Sequence, residues 1–194
     1  MVARHLVARL WAVAALSATP LTAQGVLPLT FDEITGRASA IALVETAQVR
    51  SDWRTHPQGK HIVTVVTFRL ERGLKGQLAQ QFDIEFLGGQ IGSVAMEVDG
   101  MPQFTVGDHD VLFLSKNRQS VAPIVGLYQG RFRVVGDRAK GTDQVLTHDG
   151  RPFTVATAGP ARMRGTLFSP VRALSYAQFE SLVVQGLLPQ AGGR

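Results

Sequence analysis

No cysteine occurs anywhere in the 194 residues. That absence excludes disulfide staples, a thiol nucleophile, a thiolate zinc site and the lipid-bearing cysteine of a bacterial lipoprotein. After residue 23 no apolar run approaches the roughly 18–20 residues that a membrane-spanning helix requires, so no span is expected in the rest of the chain. Missing too are the Gly-x-Ser-x-Gly elbow of serine hydrolases, a phosphate loop and a dinucleotide fingerprint. With no internal repeat or low-complexity tract, one domain with one core is the expected organisation.

The first 23 residues are what the chain does have in clear form. Arg4, His5 and Arg9 lead into the apolar run Leu10 to Ala15, and Leu21-Thr22-Ala23 supplies a small-residue exit. This is the pattern of a secretory signal peptide over 1–23, and it predicts an exported protein, periplasmic or extracellular. Removal of Arg4 and Arg9 leaves 18 basic against 15 acidic residues, a net charge of +3. So mild a bias fits solubility as well as an acidic protein or an anionic cell-surface glycan as partner.

In the remaining 24–194, Thr30-Phe31-Asp32-Glu33 has the form of a helix capping box and predicts a short helix over 31–37. Two runs with a period of two then predict a hairpin: Ile41 to Val49, and His61 to Leu70. A third strand is expected over 81–86, where Phe82, Ile84 and Phe86 alternate with Asp83 and Glu85. A fourth would place Val94, Met96 and Val98 inward. Val111-Leu112-Phe113-Leu114 is apolar on both faces, as a central strand covered on two sides would be. Residues 123–128 and 131–135 read as a further hairpin, with Phe132 and Val134 inward and Arg131 and Arg133 outward. A loop is expected over 156–174. Ser175-Tyr176-Ala177-Gln178 predicts a C-terminal helix over 175–186.

Catalysis requires a base, a nucleophile or a metal. Asp108-His109-Asp110 could orient an imidazole and is the weak catalytic candidate, although neighbours in sequence need not face one another. His56 and His61 lack the spacing of a zinc motif, and His148 precedes an Asp-Gly turn. No metal and no cofactor is expected. Nucleic-acid binding would need aromatic platforms on the face of Arg131 and Arg133, but Phe132 alternates away from them. Trp53 on the loop 51–60, Gly88, Gly89 and Gly92 on the glycine-rich loop, and the segment 99–108 are the candidate binding residues.

From about 30 to 135, the strand ending at Leu74-Lys75-Gly76, the Gly-Gly loop, Gly100-Met101-Pro102-Gln103-Phe104, Gly107-Asp108 and Val111 to Leu114 resemble an uncharacterised exported bacterial domain family. More remotely, the strand order and the Lys-Gly pair resemble the OB-type barrel of the netrin and tissue-inhibitor-of-metalloproteinase modules. The resemblance implies an all-β, partly closed OB-like barrel with a short N-terminal helix and a C-terminal helix. Those inhibitors chelate their target's zinc through an N-terminal cysteine. This chain has none, so their mechanism does not carry over. The expected function is an exported, non-enzymatic binding or interaction module of unknown partner; the alternative is an exported hydrolase with its site around His109.

Overall fold

The computed structural model describes residues 27–56, 59–116, 123–158 and 172–187. The expected signal segment 1–23, most of the expected loop 156–174 and the C-terminal tail lie outside them. Helix α1 (Phe31–Arg37) has the expected bounds because both halves of the capping box form. The Thr30 hydroxyl accepts from the Glu33 amide, and the Glu33 carboxylate accepts from the Thr30 amide at 2.9 Å.

Strands β1 (Ala40–His56) and β2 (Gly59–Lys75) form the expected hairpin, but each is 17 residues long. The ladder continues past the apolar alternation because backbone pairing needs no buried side chain. Three register shifts, at Ile41/Ala42, Leu43/Val44 and Thr46/Gln48, mark bulges, which bend a strand and re-aim side chains. Lys75 at the end of β2 donates to the Thr35 carbonyl at 2.9 Å, where the C-terminal end of α1 favours a cation. Gly76 follows at φ +66°, and a Cβ there would lie 2.5 Å from the Ser39 carbonyl oxygen. The Lys-Gly pair thus ties the hairpin to the helix.

Strand β3 (Gln81–Leu87) pairs with β2. The expected fourth strand is corrected. β4 (Gly89–Ile91) and β5 (Val94–Met96) form a separate two-stranded hairpin, and Val94 is 49% exposed rather than inward. Strand β6 (His109–Leu114) lies between β1 and β7 (Arg131–Val135), and its residues Val111 to Leu114 are all fully buried, as the two-faced apolar run requires. The expected strand over 123–128 is also corrected. Ile124 makes an isolated bridge to Leu114, after which Gly126 and Leu127 take positive φ and the chain turns. β8 (Gln144–Thr147) pairs with β7. α2 (Val155–Ala158) and α3 (Tyr176–Leu187) complete the order, α3 with Ser175 and Gln178 bonded reciprocally at its start.

The chain is mostly β, built on one antiparallel sheet in the order β3-β2-β1-β6-β7-β8. β3 and β8 are its edges and do not pair with each other, so the sheet is open where a partly closed barrel was expected. Apolar side chains cover both faces. Under the helices, Phe31, Phe113, Phe132, Phe153 and Phe179 form one ring cluster with neighbouring centroids 5.0–6.3 Å apart. On the opposite face Phe68, Phe86, Leu112 and Leu114 pack together under Phe104. Of the described helices, none is long and apolar enough to cross a membrane.

Candidate functional site

Between β5 and β6 the chain runs from Glu97 to Asp108 as an irregular strap over the sheet face opposite the helices. Backbone bonds between Thr46 and residues Gly107 and Asp108 hold its end, and two side-chain contacts hold its middle. Phe104 inserts its ring against Phe68 and Phe86, with centroids 5.2 and 5.0 Å away. Arg131 of β7 donates one guanidinium nitrogen to the Gln103 carbonyl and lies 4.1 Å from the Phe104 ring centre. The same guanidinium grips Asp110 of β6 through Nε at 2.9 Å and Nη2 at 3.1 Å.

Asp110 is 0% exposed and Arg131 5%. Burial pushes the Asp110 carboxyl above its ordinary range, against the opposing pull of Arg131. The expected outward patch of Arg131 and Arg133 is therefore corrected. Alternation does turn both from Phe132, but at Arg131 the strap covers that face, and only Arg133 remains half-exposed.

The strap divides the surface into two clefts that share the wall 100–103. On one side a groove of about 590 Å³ is lined by the Gly88-Gly89 turn, Phe86, Ala95, Met96 and the strap residues Glu97 to Phe104. On the other a cleft of about 460 Å³ is lined by Gln103, Asp108, Tyr128, Arg131, Arg133 and His148. The Tyr128 and His148 rings meet with centroids 4.2 Å apart, tilted by 42°. Desolvation holds the His148 imidazole below its usual pKa.

Gly88 and Gly89 are brought into the first groove, and packing explains both. A Cβ on Gly88 would lie 2.8 Å from the Met96 carbonyl oxygen; on Gly89 it would lie 2.6 Å from Thr64 Oγ1 and 2.7 Å from Ser51 Oγ. Both also sit at positive φ, a region glycine tolerates. Gly92 occupies the β4–β5 turn with open space around it. Trp53 is 44% exposed and lies two residues along β1 from Ser51, on the same strand face but outside the groove lining.

Asp108, His109 and Asp110 are not brought together. His109 shares the helix face with Val111 and Phe113, while Asp110 faces the strap with Leu112. His109 Nδ1 lies 2.7 Å from Glu71 Oε1, and Glu71 Oε2 lies 2.6 Å from an Arg138 nitrogen. Glu71 was not found by sequence reasoning: it is the extra residue of the bulge where Leu43 pairs with Arg72 and Val44 with Leu70. His109 and Arg138 line a third cleft of about 470 Å³. Next to this group, Arg138 stands 5.9 Å from the Tyr176 ring centre, and burial pushes the Tyr176 phenol up to about 12. Among the described residues no hydroxyl bonds His109, and no cluster of three or more His, Asp or Glu could hold a metal.

Comparison of the chain with protein-family models, with curated proteins and with solved structures finds no match.

Proposed function

We propose that this chain is an exported, non-enzymatic binding module whose first groove receives a segment of a partner protein carrying both apolar and polar side chains. The observation that carries the reading is the groove beside the strap. Its lining mixes Met96, Val98 and Met101 with Thr64, Gln90, Gln103, Glu97 and Asp99. Methionine adapts to varied apolar surfaces, and the two acids favour a segment with basic neighbours over an anionic one. Trp53 supplies an exposed aromatic on the same side of the β1–β2 hairpin as Ser51, which suits a binding hot spot.

Export is part of the proposal and rests on the leader pattern of residues 1–23. So is an OB-like fold, which the bulged, 17-residue strands β1 and β2 support. Crosslinking and affinity capture from the cell envelope test the function. Ala95 is exposed and lines the groove, so Ala95→Trp fills it without entering the core. The wild-type chain is expected to enrich a protein that Ala95→Trp loses and Trp53→Ala retains weakly. Equal enrichment by all three overturns the reading.

The second reading, a hydrolase, rests on the Glu71–His109 pair and its cleft. Carboxylate-oriented imidazoles serve as general bases when a nucleophile lies within reach. Hydrolysis of a model ester or peptide that is lost in both His109→Ala and Glu71→Gln would displace the binding reading.

A further inference from the structure

Beyond the strap, the cleft of about 460 Å³ gathers polar side chains with unused bonding capacity. Most arginines among the described residues are matched by a carboxylate at close range: Arg50 by Asp83, Arg69 by Glu45 and Arg138 by Glu71, at 3.3, 2.8 and 2.6 Å. Arg133 is different. Its Nη2 stands 3.6 Å from Asp108 Oδ2, beyond hydrogen-bond reach, and Arg131 stands equally far from the same oxygen. Among the described residues, the side chains of Gln103, Asp108, Tyr128, Arg133 and His148 make no hydrogen bond to one another or to the rest of the chain, and all five line this one cleft.

We propose that this cleft binds a saccharide unit through a pair of adjacent hydroxyls. One hydroxyl donates to the Asp108 carboxylate and its neighbour accepts from the Arg133 guanidinium, closing the 3.6 Å gap that the protein leaves open. Arg131 is already matched by Asp110, and Arg133 and Asp108 cancel, so an uncharged ligand fits the charge balance better than an anion. The lowered His148 pKa is in keeping with that balance. The Tyr128 and His148 rings, 4.2 Å apart and inclined at 42°, give aromatic surface for the C–H groups of a sugar ring. Gly100 fixes that surface: a Cβ there would fall 3.2 Å from the Tyr128 ring, so the strap packs directly on it. The volume lies within the ~300–1,000 Å³ typical of small-ligand sites. The site is independent of the partner groove, from which the strap separates it.

The test is an array of immobilised oligosaccharides, neutral and uronic-acid-bearing, followed by calorimetric titration of the neutral glycan that binds best. Amide chemical shifts of residues 128, 133 and 148 are followed in the unsubstituted protein during the titration. Neutral glycans with free adjacent hydroxyls are expected to bind and to shift those amides. Arg133→Ala and Asp108→Asn, each checked for a native circular-dichroism spectrum, should each weaken binding about tenfold or more, equivalent to ~1.4 kcal/mol. Ala95→Trp should leave glycan affinity unchanged even if it abolishes protein capture. The proposal is overturned if no glycan shifts the three amides, if only uronic acids bind, or if both cleft substitutions leave the affinity unchanged.

Discussion

Replacing Arg131 by Met tests the clamp on which both clefts depend. The substitution keeps a long side chain against Phe104 but removes the two bonds to Asp110 at 2.9 and 3.1 Å and the bond to the Gln103 carbonyl. Asp110, 0% exposed, is then a buried carboxylate without a counter-ion. Breaking a buried pair in this way costs about 3–5 kcal/mol, a large share of the ~5–15 kcal/mol that stabilises an ordinary domain.

The loss has a pH signature. Burial already raises the Asp110 pKa against the pull of Arg131, so without Arg131 it rises further above the unfolded value of about 3.9. The folded state then holds a proton that the unfolded state releases, and stability falls as pH rises between the two values. The penalty should be full above the folded pKa and should shrink as pH falls toward about 4. Urea unfolding of wild type, Arg131→Met and Arg131→Met/Asp110→Leu at neutral and mildly acid pH measures this. The double variant should regain part of the loss, retaining ~1–3 kcal/mol for the unpaired Gln103 carbonyl. A single-variant loss below about 1 kcal/mol, or a double variant no more stable than the single, refutes the reasoning.

Two other outcomes follow from packing. Phe179→Ala removes a fully buried ring that touches Phe31, Phe113, Phe132 and Phe153; about 3–5 kcal/mol should be lost in a denaturant melt. Gly76→Ala places a methyl 2.5 Å from the Ser39 oxygen at positive φ, and should destabilise by more than the ~1 kcal/mol of a compatible glycine change. Hydrogen exchange in the last turn of α1 should rise with it.

The elements legible in sequence were those whose local chemistry and tertiary role agree. Thr30 and Glu33 fix the start of α1 by bonds within the motif, and the run Val111 to Leu114 announces a strand buried on both sides. Val94, Met96 and Val98 misled because alternation reports a strand without saying which sheet it joins. The candidate site was legible in part. Gly88, Gly89 and residues 99–104 of the segment 99–108 line one groove, but the glycines answer to close packing with Met96, Ser51 and Thr64. His109 and Asp110 were separated by strand alternation, and Glu71 reached His109 through a bulge, a feature that no short pattern encodes. The Asp108–Arg133 gap depends on where the strap lies and is a tertiary property throughout.

The five-phenylalanine cluster has a consequence for how the chain reaches this state. Its rings come from α1, β6, β7, the segment before α2, and α3, so the earliest and latest described elements must meet before the core closes. Such long-range closure is slow relative to local folding. A polypeptide emerging N-terminus first from the ribosome could not complete this core until its last described helix had been made.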